Sequence, residues 1–481
     1  MTRVFRTAGG GAAAPAAAAV ALFAASLAVF WPGIVEYDVL RQYEQIVAGR
    51  LDDWHPPALA RLWEATLAWR HDLAPLLALQ LALYWLAIGL IATALTRRGR
   101  ARAGWATLAV AALPPFLGWQ GVVVKDTQFV GATLAAVGLV AFWRLRGRAV
   151  PWGAGIAAAV LLAYAMLLRA NAVFALAPLI AMLLPLRRTR HRVIAGVLIL
   201  AGGLALSGPV NRHLLGATRP SGVQKTQPFY DLAGIAVRTG GTDGTGLSAE
   251  AARVMAARHC VSPLFWDSIG DDAHCGPVTR RLWGQPPATL YPRLAISAAR
   301  HPLAYLAHRA AHWNMTERWI VPAHLPFADP PAWGEPNAVG LPTAGGAAMH
   351  RWQAIAAWLV ETPLGWPIAW LALAAGLAWT AWRRPAAPAR DLAAALLASA
   401  IALEASFVAV SIASDLRYHL WPMIATALAG VLLADRAVPR RAFVPLAVVV
   451  VTATLARLAL PTPPQDYAAL IGWWPGAIAL Q

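Results

Sequence analysis

Long apolar runs alternate along this chain with short polar connections. A helix needs about 20 apolar residues to cross a hydrocarbon core, with a range near 17–25. Eleven stretches reach or approach that length: 12–31, 74–96, 104–119, 127–143, 151–168, 172–186, 193–208, 363–382, 391–413, 419–434 and 442–460. The shortest, 172–186, needs its flanks to span. The connection 32–73 differs. Val39, Leu40, Tyr43, Ile46 and Val47 keep helical spacing, as do Leu59, Leu62, Trp63, Thr66 and Leu67. These two amphipathic helices are too short and polar to cross, so they are expected to lie in the interface plane. The turn Asp52-Asp53-Trp54-His55-Pro56-Pro57 joins them.

A second break in the pattern covers 209–361, a segment of 153 residues. Ser248-Ala249-Glu250 opens a helix to about 259, residues 289–313 read as amphipathic helix interrupted at Pro302, and the Pro- and Gly-rich stretch 319–347 reads as a loop, a mobile lid over a site. The expected fold is an all-α polytopic membrane protein with about 11 transmembrane helices, two interfacial helices and a larger, mainly α extracytoplasmic segment. Its divisions are 1–208, an N-terminal membrane module whose first outer loop is 32–73; 209–361, the extracytoplasmic segment; and 362–481, a C-terminal membrane module with an outer tail. Trp473-Trp474 is an interface anchor in that tail. No internal repeat of the transporter kind is visible.

Composition agrees. Of 481 residues 59% are hydrophobic and 13% charged, about half the ~25% charge share of a soluble domain. That excludes a soluble enzyme, a disordered tail protein and a secreted disulfide scaffold. The net charge of +17 is a topology signal rather than a nucleic-acid surface. Arg3, Arg6, Arg97, Arg98, Arg100, Arg102, Arg144, Arg146, Arg148, Arg187, Arg188, Arg190, Arg192, Arg383, Arg384, Arg390, Arg436, Arg440 and Arg441 all fall before the first run or in alternate connections. These segments hold nineteen Arg and two acids, Asp391 and Asp435, whereas the remainder balances at 21 basic and 21 acidic residues. The positive-inside rule makes the Arg-rich connections cytoplasmic, with the amino terminus inside and no cleavable signal needed. The only cysteines, Cys260 and Cys275, then lie on the oxidising side, where a disulfide closing a small loop is expected; two free thiols are the alternative.

Once the topology charges are set aside, few polar residues are out of place. The first outer loop has Glu36-Tyr37-Asp38 and His55. Lys125-Asp126 follows the third apolar run and carries one of two Lys in the chain; Arg169 and Asn171 occupy the turn between the fifth and sixth; Asp415-Leu416-Arg417-Tyr418 lies between the ninth and tenth. All belong at one depth, and clustered cations there suit a lipid phosphate. Each alone reads equally well as an interface anchor. Glu404, inside the ninth run, is either functional or structurally paired. Arg457 lies near enough to a helix end to snorkel.

An outer-loop Asp followed 17 residues later by His-Pro-Pro, on a chain of this topology, resembles the GT-C superfamily of polytopic glycosyltransferases, such as the protein O-mannosyltransferases and the aminoarabinose transferases of lipid A. The matching residues are Tyr37-Asp38, Trp54-His55-Pro56-Pro57, Lys125-Asp126, Arg169-Ala170-Asn171 and Asp415-Leu416-Arg417-Tyr418. The likeness covers 12–208 and 363–460. Many relatives carry an Asp-Glu pair where this chain has Glu36-Tyr37-Asp38, which leaves the acidic partner and any metal open.

The resemblance implies sugar transfer from a polyprenyl-phosphate donor to an envelope lipid, glycan or protein, at the outer face of a bacterial inner membrane. Asp38 would be the base, with Glu36 as acidic partner and His55 orienting Asp38. Lys125, Asp126, Arg169, Asn171, Asp415, Arg417 and Tyr418 would hold the donor phosphate and sugar. No cofactor is assigned; a divalent metal held by Asp38 and His55 is possible on this reading. Two alternatives stand: an outer-face glycan polymerase or ligase using a lipid diphosphate donor, and a lipid or sugar transporter, for which Glu404 would be the natural site.

Overall fold

The computed structural model describes residues 9–474 except 187, 242 and 243; Arg3, Arg6 and Arg187 of the topology count lie outside the described residues. The described chain is mostly helical, with almost no sheet. Among the described residues, seven helices are long and apolar enough to cross a membrane: Ala13–Phe30, Ala74–Arg97, Lys125–Arg144, Thr189–Leu214, Pro388–Val410, Leu416–Leu433 and Arg440–Ala459. Trp152–Leu168 and Ala172–Leu183 are shorter apolar helices, and Pro367–Arg383 has 17 residues. This is the architecture of a multi-pass α-helical membrane protein. Helix Thr189–Pro209 has no buried residue, although Val193, Val197 and Leu198 are well over half exposed. Apolar side chains displayed around a whole helix are stable against lipid, not water.

One expected span is not a single helix. Residues 104–119 divide between helices Ala101–Ala111 and Pro114–Gln120. Leu113 is extended between them, with ψ of 130°. A residue before proline is pushed out of the helical region by the ring, and Pro114 has no N–H to continue the ladder. Hydropathy passes over this break because Pro114 and Pro115 lie inside an apolar run.

Helix Lys125–Arg144 is central, packed against Ala74–Arg97 and Trp152–Leu168. A methyl group at Gly138 would stand 2.7 Å from the Ala87 Cα, so only glycine permits this approach. At the helix start Gln80 donates to the Gln120 and Val122 carbonyls at 2.7 and 3.1 Å, and Thr127 Oγ1 donates to the Val122 carbonyl at 2.9 Å. These bonds brace a two-residue strand, Val122–Val123, which pairs in parallel with Ile34–Val35 (Ile34 opposite Val122, Val35 opposite Val123). The chain just after the first helix is thereby tied to the start of helix Lys125–Arg144.

The two ends of the bundle differ. Arg144 closes the helix that Lys125 opens, ~30 Å away at 1.5 Å per residue. Arg144 donates to the Leu183 carbonyl, Arg100 to the Val431 and Leu432 carbonyls, and Arg384 to the Leu433 carbonyl and Asp435. The described Arg-rich connections that make these bonds thus gather at one end, and Lys125 stands at the other.

The long polar segment packs on the Lys125 end. Its strand Ala217–Arg219 pairs with Leu51–Asp52, and Asp53 accepts from the Ser221 N–H and hydroxyl at 2.6 and 2.7 Å. Helices Thr226–Thr239, Ala249–Ala257 and Pro287–Arg300 enclose a small core of Phe229, Tyr230, Ile235, Met255 and Leu290. Cys260 and Cys275 form a disulfide inside it, Cα atoms 6.0 Å apart. Helix Pro302–Thr316 follows after a break at His301. From 317 to 346 there is no helix or strand. This loop is pinned where the Glu335 N–H donates to the Val35 carbonyl and the Leu416 N–H to the Phe327 carbonyl, each 2.9 Å.

Candidate functional site

Ten polar residues singled out in the sequence meet at the Lys125 end of the bundle. Glu36 caps helix Tyr37–Val47, its carboxylate accepting from the Asp38 N–H at 3.0 Å. That cap fixes Asp38 in the first helical turn, three residues past the strand pairing at Val35. Lys125 follows the partner strand by two residues, so the pairing delivers the two charges to one place. Lys125 Nζ lies 2.6 Å from Asp38 Oδ2 and 2.8 Å from His55 Nδ1. His55 Nε2 stands 3.7 Å from Asp38 Oδ1, closing a triangle of carboxylate, ammonium and imidazole.

Arg417, in the short turn Leu416–His419, enters from the other half of the chain. It reaches Glu36 at 2.5 Å, Asp38 at 3.3 Å, Asp415 at 3.5 Å and Asp126 at 3.9 Å. Arg169 pairs closely with Asp126 and donates to Asn171 Oδ1 at 3.0 Å. Its guanidinium lies over the Tyr418 ring, 4.5 Å from the centroid, a cation–π contact. Four carboxylates therefore face three cations, all largely buried.

Burial and charge act differently on the acids. Burial alone would raise Asp38, but the pull of Lys125, then Arg417 and His55, overcomes it and holds this carboxyl well below the usual range. For Glu36 burial outweighs the attraction of Arg417 and pushes the group up to about 7. Burial, with the neighbouring Lys125 charge, drops His55 to about 3, so it is a neutral imidazole at physiological pH. Burial also brings Arg169 down to about 10.

The divalent metal left open at Asp38 and His55 would have to compete with a cation the chain itself supplies. The Lys125 ammonium bonds to both of their inward atoms and is itself the cation between them.

The structure adds Trp266, Trp283 and Asp267, which the sequence does not single out. Trp54, beside His55, packs on Trp266 with centroids 5.6 Å apart, and Trp266 stacks on Trp283 at 6.0 Å and 19°. Next to this ladder Asp267 accepts from the Tyr467 hydroxyl at 2.9 Å. Burial, opposed by that bond and reinforced by Asp415 and Asp38, raises Asp267 to about 6. With 23 Trp in the chain, no local signal sets Trp266 and Trp283 apart.

Glu404 is paired: His419 Nδ1 lies 2.7 Å from its Oε2. Arg457 donates to the Trp319, Ala453 and Arg318 carbonyls. No family model, curated protein or solved structure matches the chain.

Proposed function

We propose that this chain is an integral membrane glycosyltransferase of GT-C type, moving a sugar from a polyprenyl-phosphate donor to an envelope lipid, glycan or protein. On this reading it crosses a bacterial inner membrane about eleven times. The broken segment 101–120 counts as one crossing, the amino terminus is cytoplasmic, and the site faces the periplasm. The carrying observation is the meeting of Asp38 and Glu36 with Lys125, Arg169 and Arg417 at the bundle end opposite the Arg-rich connections. A transporter needs its polar cluster near the midplane, whereas this one stands at helix ends.

The chemistry is a single displacement. The acceptor oxygen forms a bond to the anomeric carbon as the bond from that carbon to the phosphate oxygen breaks. The electron pair leaves with polyprenyl phosphate, and the acceptor proton passes to Asp38. The transition state is oxocarbenium-like, and charge grows on the departing phosphate, where fixed cations are most effective.

Asp38 bonded to Lys125 is a weak base. An arriving phosphate competes for Lys125 and Arg417, and as it draws them off, Asp38 regains basicity. Donor binding thus switches on the base. Glu36, near 7, can receive the proton onward. Neutral His55 holds Lys125 and Asp38 in line.

The test uses purified protein in proteoliposomes with polyprenyl-phosphate sugar and an envelope extract as acceptor. Sugar transfer with release of polyprenyl phosphate and no movement of lipid across the bilayer is expected; translocation without transfer overturns the reading. Requirement for a diphosphate-linked oligosaccharide assigns the polymerase or ligase chemistry instead.

A further inference from the structure

Away from that cluster, Glu317, Glu404 and His419 meet at no more than 1% exposure each. Glu317 follows helix Pro302–Thr316, Glu404 sits in helix Pro388–Val410, and His419 closes the turn Leu416–His419. Their ligand atoms all lie within 4.8 Å of one another. His419 Nδ1 faces Glu404 Oε2, and its Nε2 lies 3.2 Å from Thr316 Oγ1.

Beyond that contact the acids are unsatisfied. Both carboxylate oxygens of Glu317 and Oε1 of Glu404 are fully buried without a well-formed hydrogen bond; the two carboxyls face each other, and Glu317 faces the Trp313 indole. Burying a carboxylate without a counter-charge costs several kcal/mol. The nearest guanidinium groups are spent elsewhere: Arg318 on the Leu325, Pro326 and Ser414 carbonyls, Arg457 on the Trp319, Ala453 and Arg318 carbonyls. Two carboxylates and a neutral imidazole sum to a charge of −2, which one divalent ion balances.

We propose that Glu317, Glu404 and His419 bind a divalent transition-metal ion. The imidazole in the set suits zinc, and the two carboxylates also admit manganese; three protein ligands leave a further position open, as zinc tolerates. Thr316 orients the ring through its second nitrogen, the usual role of an outer partner. His419 is two residues from Arg417 and one from Tyr418. The ion therefore fastens the turn that carries both to helix Pro388–Val410 and to the end of helix Pro302–Thr316. It is a positioning metal, with no part in bond making.

Full-length protein in nanodiscs, stripped with chelator and reloaded with zinc or manganese chloride, is assayed by elemental mass spectrometry and thermal unfolding. About one ion per chain is expected after reloading. The unfolding midpoint should fall on stripping and recover with the metal alone. Glu317→Gln should retain less than about a tenth of an equivalent and show no response to metal. Should that variant fail to insert, the wild-type titration decides. Wild type that takes up no ion and whose midpoint does not move overturns the proposal, leaving a protonated acid pair. Equal metal content in wild type and Glu317→Gln overturns it too. Neither result bears on sugar transfer, which is assayed separately.

Discussion

Lys125 and Asp38 are 87 positions apart in the chain and 2.6 Å apart in space. Their contact makes the ammonium both guard and competitor of the proposed base. Asp38→Asn should therefore lower sugar transfer by about 10²–10⁴-fold, the usual contribution of a positioned base, while donor binding persists. Turnover by radiolabelled sugar transfer and donor affinity by ligand-shifted unfolding separate the two. Near-normal turnover would sink the base assignment.

Lys125→Ala should act on the other side of the same pair. It removes a phosphate ligand and frees Asp38, so apparent donor affinity is expected to drop at least about tenfold, the scale of one lost charge-assisted bond. An unchanged donor KM in the transfer assay would assign the phosphate to other residues.

Arg417 touches Glu36, Asp38, Asp415 and Asp126. Its removal leaves buried acids uncompensated, and breaking a buried pair from one side typically costs about 3–5 kcal/mol. Arg417→Ala should show a loss of that order by denaturant titration in mixed micelles. Arg417→Lys should fall between, since one ammonium cannot bridge Glu36 and Asp38 as a guanidinium fork does.

His55 supplies a pH signature. Its folded pKa of about 3 lies below the ordinary 6.5, so below 6.5 the unfolded chain binds a proton that the folded chain refuses. Stability is unaffected above 6.5 and falls as pH drops through the window from 6.5 toward 3, at about 1.4 kcal/mol per pH unit for this one group. Other buried histidines add their own slope. The difference between wild type and His55→Gln isolates it: the variant should lose less stability between about pH 7.5 and 5. Parallel curves would refute the depressed value.

The Cys260–Cys275 bridge closes a loop of 15 positions, worth roughly 3 kcal/mol in the chain-entropy model. Reduction, or Cys260→Ser with Cys275→Ser, should open 249–283 to proteolysis while leaving the bundle helices protected. Uniform loss of protection would mean that the segment and bundle unfold together.

The ten site residues could be gathered from sequence because a bilayer does much of the sorting. Turns that alternate with apolar runs land on the same face, so Asp38, Lys125, Arg169 and Arg417 shared a depth before any packing was known. Pairwise geometry was not accessible in this way. That Lys125 would stand between Asp38 and His55, in the place given to a metal, depends on the strand pairing, which two-residue strands do not announce. The break at Leu113 was hidden because Pro114 and Pro115 are apolar enough to count as membrane. Nothing in the local sequence marks Glu317. Only the packing of helix Pro302–Thr316 against Pro388–Val410 brings it to Glu404.

The short parallel pairing of Ile34–Val35 with Val122–Val123 sets which changes the site can absorb. Its contribution is spacing: Asp38 and Lys125 are counted off from one clasp, three residues along one strand and two along the other. Exchanging valine for isoleucine within it keeps the count. Deleting Val124, which is extended, shifts Lys125 by about 3.3 Å and turns it to the opposite side of the chain; deleting Tyr37, in the first helical turn, turns Asp38 by about 100° around the helix. The chain can vary in composition here far more freely than in length.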